Sequence, residues 1–344
     1  MKKPWIPLIL IACVLTGCKD NALDLEYEQG IKALEAGQYV QAREHFDKLL
    51  GDEKRRSEAY RATGIAFYEE NSYPEAIAAF SRSLNYMETS DEIFKKDVMF
   101  YLANARIKYG ETDKAISIYD EILADGDDVQ AYFLRGKTYL QCGDYANAQN
   151  DFLRALEGSD DYDFYINIYH LYEEIGETEE GNIYLEMAMH MDAETGEDYF
   201  QRGRIYAAQE KYDKAEKSLK TAIKMEFHDA MPMLGHIYLI NEDVENARKI
   251  YTKYMSVSKN KAEAYNGLAL CDIAQERYDS AMENIQKGLE KQKDNEKQAL
   301  LYNEIIVLEH QKKFNEAKEK LNVYLEEYPD DGEALREKDF LSTR

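Results

Sequence analysis

Cysteine, proline, tryptophan and histidine are scarce in this chain of 344 residues, which contains 4, 5, 1 and 6 of them respectively. Four cysteines spread over such a length exclude the dense disulfide framework that stabilises small secreted domains. We interpret Cys142 and Cys271 as small packing residues. Few prolines leave long stretches free to form uninterrupted helices, because proline breaks a helix interior. No histidine has another four residues away, which disfavours a helical zinc site.

Basic residues are outnumbered, with 43 lysines and arginines against 67 acids and a net charge of -24. This balance excludes nucleic acid as a partner, because a phosphate backbone requires a basic surface. The acids are too numerous for a catalytic pair to be distinguished. The chain also has no His-Glu-x-x-His or Gly-x-Ser-x-Gly motif and no glycine-rich loop between a strand and a helix. We therefore predict a non-catalytic protein without a metal or a diffusible cofactor.

The apolar run at residues 5–15 is too short for a membrane span, which needs about 20 apolar residues. Lys2 and Lys3 precede this run and Leu-Thr-Gly-Cys follows it, which is the layout of a secretory signal. The latter four residues resemble the bacterial lipobox. That resemblance implies a signal peptide at residues 1–17, diacylglycerol on Cys18 and a tether at residues 18–22. An ordinary signal peptide, in which Cys18 has no role, is the alternative.

Residues 135–156 contain a pattern of small and aromatic side chains that recurs, in altered form, along the chain. Its members are Gly136, Tyr139, Gly143, Tyr145, Ala148, Phe152, Ala155 and Leu156. This pattern resembles the tetratricopeptide repeat family, whose unit of about 34 residues is a helix-turn-helix. The resemblance implies an all-α fold, a right-handed α-α superhelix of about nine repeats with a C-terminal capping helix.

The predicted solenoid occupies residues 23–331. Its repeats are residues 23–56, 57–90, 96–129, 129–162, 162–195, 196–229, 228–261, 262–295 and 298–331, and residues 332–344 are a capping helix and tail. A surplus at residues 91–95 is expected to lengthen a helix or a loop. In the fifth repeat Tyr169 replaces the usual glycine and Gly181 the usual alanine opposite it, so we expect the two to face each other.

Four successive repeats place a basic side chain at the ninth residue of the first helix, and several repeats place a ring at the fifth. The basic residues are Lys137, His170, Arg204 and His236, and the rings are Tyr27, Phe100, Phe133, Phe200 and Tyr302. The family resemblance implies that both positions line the concave surface, where relatives bind partners. We interpret them as a groove for a protein or peptide that carries carboxylates. The alternative is that the bases neutralise neighbouring acids and the rings pack between repeats.

The sequence therefore favours an exported scaffold, anchored by lipid to the extracytoplasmic face of the bacterial cell membrane, or to an outer membrane if one exists. It would bind protein partners through its groove. A second hypothesis is a solute-capture lipoprotein whose groove rings stack on sugars. An enzyme is the weakest of the three interpretations.

Overall fold

The computed structural model describes residues 21–87, 91–291 and 294–343. Over these ranges the chain consists of α-helices joined by turns, with no strand, so the predicted all-α fold class is confirmed. The predicted signal peptide and the acylation of Cys18 lie outside the described residues and remain predictions. The chain divides into two compact units, one that ends at Gly181 and one that begins at Asn182. They are called the N-terminal and C-terminal units below.

Helices of the N-terminal unit follow one another as antiparallel pairs. They are α1 (Asn21–Glu35), α2 (Tyr39–Asp47), α3 (Arg56–Glu69), α4 (Tyr73–Tyr86), α5 (Glu92–Tyr109), α6 (Thr112–Ala124), α7 (Val129–Gln141), α8 (Tyr145–Ala155) and α9 (Tyr162–Glu174). Helix α10 (Thr178–Met189) contains the boundary between the units.

The C-terminal unit continues the same alternation of helices. It contains α11 (Gly196–Ala208), α12 (Tyr212–Lys224), α13 (Ala230–Ile240), α14 (Val244–Val257), α15 (Lys261–Ala274), α16 (Tyr278–Lys291), α17 (Asp294–His310), α18 (Phe314–Glu327) and α19 (Gly332–Ser342). In both units the first helix of each pair begins within four residues of the start of a predicted repeat.

Glycine allows the two helices of a pair to cross closely. A Cβ atom added at Gly136 of α7 would lie 3.0 Å from the ring of Phe152 on α8. One added at Gly235 of α13 would lie 2.5 Å from the ring of Tyr251 on α14. The repeated glycine and the repeated ring of the sequence pattern are therefore two sides of one contact, and this contact fixes how each pair packs.

Tyr169 and Gly181 face each other in the fifth repeat, as the sequence predicted. A Cβ atom at Gly181 would lie 3.2 Å from Tyr169 Cδ2 and 2.9 Å from Tyr172 Cβ. Tyr169 is only 2% exposed. The large side chain therefore occupies the space that the missing methyl group leaves.

The surplus at residues 91–95 forms the N-cap and the first turn of α5, which is 18 residues long. The side chain of Asp91 accepts a hydrogen bond from the backbone N–H of Phe94 at 3.0 Å and so caps the helix. The extra residues thus lengthen a helix, one of the two outcomes that the sequence allowed.

One buried aspartate in each unit is neutralised by arginine. Asp151 is 4% exposed and its Oδ1 lies 2.7 Å from Arg135 Nη2. Asp272 is 2% exposed and its Oδ1 lies 2.8 Å from Arg248 Nη2 and from Arg277 Nη2. A buried carboxylate is costly unless it is paired and hydrogen-bonded, which explains both clusters.

Helix α19 covers the last repeat. The side chain of Asp331 caps it by accepting a hydrogen bond from Ala334 N–H at 3.1 Å. Ala334 and Leu341 are buried in a cluster with Leu321 and Tyr324 of α18. A terminal repeat needs such a cover because its apolar face has no further neighbour.

Among the described residues no helix combines the length and the apolar character needed to cross a membrane. Cys271 is buried, and burial raises the pKa of its thiol to about 11. Its interpretation as a packing residue is confirmed. The same interpretation of Cys142 is wrong, because Cys142 caps the C-terminus of α7 and is exposed.

Candidate partner-binding surface

Lys137 is the predicted donor of α7 and lies one helical turn after Phe133. It is half-buried, yet it makes no hydrogen bond or ion pair with the described part of the chain. A lysine in an acidic protein usually pairs locally or extends into water. Because Lys137 has no acid within ion-pair distance among the described residues, its ammonium group can donate to an incoming group.

His170 is the predicted donor of α9 and is paired within its own helix. Its Nδ1 lies 2.9 Å from Glu173 Oε2, and the His170 side chain is 49% exposed. Its ring also meets the ring of Tyr169 edge-on at 5.3 Å. Because the two residues are one helical turn apart and the pair is solvated, it contributes little to stability. The exposed imidazole can exchange this carboxylate for another.

Arg204 is the predicted donor of α11 and combines a polar contact with a ring contact. Its Nη1 donates to Gln201 Oε1 at 2.6 Å, and its Cζ lies 6.0 Å from the centroid of Phe200. Phe200 in turn packs against Phe227 with a centroid distance of 5.2 Å. These contacts hold the guanidinium in place, which reduces the entropy that it would lose on binding a carboxylate.

His236 is the predicted donor of α13 and is exposed. Within the described ranges it has no hydrogen bond or ion pair. The neighbouring Leu234, Gly235 and Ile237 are all buried, whereas His236 faces solvent.

The predicted groove rings are used largely for packing between helices. Phe133 lies 5.9 Å from Phe152 and 5.2 Å from Phe164, measured between ring centroids. Tyr302 lies 5.9 Å from Tyr324, and burial together with nearby acids raises the pKa of Tyr302 to about 12. Both residues are half-buried, so part of each remains accessible to solvent.

Phe100 is an exception among the predicted groove residues. It is 7% exposed and packs with Met99, Ala103 and Tyr119, whose ring centroid lies 6.3 Å away. Its ring is therefore part of the core, and the prediction that it lines an accessible groove is wrong. The fifth residue of a repeat faces the second helix closely enough to be covered by a large side chain there.

The described arrangement offers hydrogen-bond donors and ring edges. Lys137 and His170 belong to the N-terminal unit, and Arg204 and His236 belong to the C-terminal unit. No group of three or more histidine, cysteine, aspartate or glutamate side chains in the described ranges could hold a metal ion. In each unit these donors can bind acidic groups.

Comparison with known proteins agrees with this architecture. Sequence profiles of the tetratricopeptide repeat match residues 27–89 and 200–255, residues 129–157 and residues 97–125. This chain carries tetratricopeptide repeats. Proteins built from tetratricopeptide repeats are typically protein-interaction scaffolds, and they are typically non-catalytic.

Solved structures with tetratricopeptide repeats resemble the chain in fold. Yeast Tom70 has a TM-score of 0.51 at 18% identity, over 86% of this chain and 66% of that one. A tetratricopeptide repeat protein from Parabacteroides merdae has a TM-score of 0.41 at 15% identity, over 82% of this chain and 99% of that one. At such identities the likeness concerns the fold alone.

One curated relative is the BBSome complex member BBS4 homolog of Drosophila melanogaster. It is 19% identical over 268 residues, which are 77% of this chain. The chain spans about half the length of this relative, since the match covers 50% of it.

Proposed function

We propose that this protein is a non-catalytic scaffold that binds protein partners through the first helices of its tetratricopeptide repeats. Lys137 is the observation that carries the proposal. It is half-buried and unpaired within the described residues of a chain with 24 excess negative charges. The alternative, in which the basic residues serve to neutralise neighbouring acids, gives Lys137 no partner.

The partner would present carboxylates, which are the groups that match these donors. Lys137 and Arg204 would supply charge-assisted hydrogen bonds, which are shorter and stronger than neutral ones. The accessible edges of Phe133 and Phe200 would add apolar contact beside each donor. His170 and His236 would add exposed imidazole groups to the set of donors.

A pull-down from a membrane fraction tests this surface. Lys137→Glu combined with Arg204→Glu should lose the partners that the unmodified protein retains, because two donors become repulsive charges. Lys114→Glu combined with Lys287→Glu is the matched control, since it changes the net charge equally at lysines that already pair with Glu111 and Glu283. Equal recovery of the same partners by both double variants would disprove the proposed surface.

We also propose that the scaffold is exported and anchored by a diacylglycerol group on Cys18. The support is the charged start, the short apolar run and the Leu-Thr-Gly-Cys that ends it. Cys18→Ser should move the protein from the membrane fraction into the soluble one, whereas the exposed Cys142 can be replaced as a control. Lipid labelling that persists in Cys18→Ser would contradict the anchor.

A further inference from the structure

The start of α3 and the end of α4 are locked together by two buried serines. Ser57 Oγ donates to the carbonyl of Ser83, and Ser83 Oγ donates to the carbonyl of Ser57, each at 2.8 Å. Both serines are less than a tenth exposed. These reciprocal bonds fix the rotation of one helix end against the other, so the neighbouring side chains have defined positions.

Four of those neighbours form what we call the Tyr60 cluster: Arg56, Tyr60, Arg82 and Tyr86. The rings of Tyr60 and Tyr86 stack with centroids 5.6 Å apart and an interplanar angle of 12°. Arg82 Cζ lies 5.7 Å from the Tyr60 centroid, and Arg56 Cζ lies 5.0 Å from the Tyr86 centroid. Two guanidinium groups are thus held against a pair of rings by cation-π contacts.

Neither guanidinium of the Tyr60 cluster contacts a carboxylate of the described residues, which omit 88–90. Arg56 Nε donates to the carbonyl of Leu50 at 2.8 Å, and Arg82 makes no hydrogen bond with the described residues. In a chain with 67 acids, two positioned arginines without a carboxylate leave most of their N–H donors available.

The fourth helix pair contains the same ring and guanidinium in a neutralised form. Arg154 Cζ lies 5.5 Å from the Tyr132 centroid. Arg154 also contacts Asp127 Oδ1 at 3.0 Å and Glu157 Oε2 at 2.8 Å, and Tyr132 donates its hydroxyl proton to Asp127 at 2.8 Å. The hydrogen bond from Tyr132 and the charge of Arg154 lower the pKa of Asp127. Two carboxylates of the chain therefore occupy this position.

The acids of the fourth pair have no counterparts in the second pair. Asp127 precedes Tyr132 by five residues. At the same distance before Tyr60 stands Arg55, whose own guanidinium pairs with Asp24. Glu157 follows Arg154 by three residues. At the same distance after Arg82 stands Asn85, which is exposed. The second pair thus keeps the ring and the guanidinium and has no carboxylate at these two positions.

We infer that the Tyr60 cluster binds a carboxylate group of a protein partner, in the position that Asp127 and Glu157 occupy in the fourth helix pair. This inference rests on the proposed scaffold function only in taking the partner to be a protein. It concerns a different surface from Lys137 and Arg204, because it lies where one helix of a pair begins and the other ends. The planar fork of each arginine suits a carboxylate with two oxygens.

Fluorescence anisotropy with the purified full-length protein tests the site. The probe is a labelled peptide with four consecutive glutamates, and a peptide with four glutamines is its control. Arg82→Gln should weaken binding of the glutamate peptide about tenfold, the usual worth of a charge-assisted hydrogen bond. Arg154→Gln is the matched control and should leave it unchanged, because Arg154 is already occupied.

Asn85→Glu provides a second, independent variant that adds no cavity to the fold. It places a carboxylate after Arg82 as Glu157 follows Arg154, and it should compete with the peptide and weaken binding about tenfold. Circular dichroism checks that each variant stays folded.

The inference is overturned if the unmodified protein binds neither peptide or both equally, or if Arg82→Gln and Arg154→Gln behave alike. A phosphoserine peptide that binds about tenfold more tightly than the glutamate peptide would assign the site to phosphate instead and overturn the carboxylate. The pull-down with Lys137→Glu and Arg204→Glu is unaffected by these outcomes. Failure at the Tyr60 cluster is therefore distinguishable from failure of the scaffold function.

Discussion

The turns inside the helix pairs differ in residue type between the two units although their backbones are alike. In the N-terminal unit the left-handed residue is glycine or asparagine, at Gly37, Asn71, Gly110, Gly143 and Gly176. In the C-terminal unit it is a charged residue, at Glu210, Glu242, Glu276 and Lys312. Left-handed backbone is costly for a residue with a Cβ atom. Asn71 is the one such residue among these five turns of the N-terminal unit, so the C-terminal unit holds more of this strain.

The same hydrogen bonds close the turns in both units. Gly143 N–H donates to Leu140 C=O at 3.1 Å, and the next N–H donates to the carbonyl five residues back at 2.9 Å. Glu276 N–H donates to Ile273 C=O at 2.9 Å, and the next N–H donates in the same pattern at 2.8 Å. This is the Schellman arrangement that ends many helices. The packing of the two helices therefore imposes the turn, whichever residue stands there.

The largest effect should come from the helix crossings, where the two units agree. Gly64→Ala in the N-terminal unit and Gly235→Ala in the C-terminal unit would each place a Cβ 2.5 Å from a ring, of Phe80 or of Tyr251. Each should lower the free energy of unfolding by about 3 kcal/mol, since overpacking displaces side chains and backbone. Urea unfolding followed by circular dichroism measures this.

Gly51→Ala is the control for the crossings, because a Cβ there would have no neighbour within 4 Å. It should change the free energy of unfolding by less than about 0.5 kcal/mol. If Gly64→Ala and Gly235→Ala were as mild as this control, the close crossing would not determine the packing of the pairs.

The next largest effect should be a difference between the units in how their stability depends on pH. In the N-terminal unit, hydrogen bonds from His45 and Lys48 lower the pKa of Glu26. In the C-terminal unit, burial and the nearby Glu337 of α19 raise the pKa of Glu309 from 4.5 to about 8. Glu309 Oε1 is buried without a hydrogen-bond partner among the described residues, so a proton shared with Glu337 would satisfy it.

The sign for Glu309 follows from its raised pKa. The folded state binds the proton more tightly than the unfolded state, so this stabilisation is complete below pH 4.5 and is lost as the pH rises through 8. Because solvent screens a partly buried carboxyl, the loss should be about 1 kcal/mol. Glu309→Gln should remove this part of the pH dependence in urea unfolding. An unchanged pH dependence in Glu309→Gln would contradict the assignment.

Alanine in a glycine turn tests the difference between the units directly. Gly143 has φ of 78° and open space around the position of a Cβ atom, so only the backbone opposes a side chain there. Gly143→Ala should lower the free energy of unfolding by about 1 kcal/mol. A shift of the urea midpoint no larger than that of Gly51→Ala would show that the turn carries no such preference.

Glycine in a charged turn should have the smallest effect and the opposite sign. Glu276 has φ of 56°, and Glu276→Gly should raise the free energy of unfolding by about 0.5 kcal/mol, because relief of strain exceeds the added freedom of the unfolded chain. Glu283→Gly, within α16, is the control and should destabilise by about 1 kcal/mol. If both variants changed the free energy of unfolding in the same direction, backbone strain at Glu276 would be disproved.

The sequence predicted those parts of the fold that depend on the sizes of facing side chains. The glycine opposite Phe152, and the tyrosine that faces a glycine at Tyr169, follow from which side chains fit together. The turn at Glu276 gives no such signal, because a helix contact elsewhere forces its backbone. The burial of Phe100 depends on Tyr119, the ring that the second helix presents to it.

Sequence reasoning also missed the Tyr60 cluster, although a signal for it exists. Tyr60 and Arg82 stand at the same interval as Tyr132 and Arg154, and only the second set is flanked by Asp127. The repeat pattern indicates positions at which the repeats have similar residues. The Tyr60 cluster is distinguished instead by positions at which the second and fourth repeats have different residues. The accessibility of Lys137 likewise depends on contacts that its own helix does not specify.

The pairing of Tyr169 with Gly181 has a consequence for how the array can be rearranged. Consider a hybrid protein in which the fifth repeat is joined to part of another repeat at a point between Tyr169 and Gly181. Such a hybrid would contain only one of these two residues. It would place either a tyrosine against an alanine or a glycine against a glycine, which gives a clash or a void. The fifth repeat can therefore be moved, duplicated or exchanged only as a whole, although the other crossings follow a common pattern.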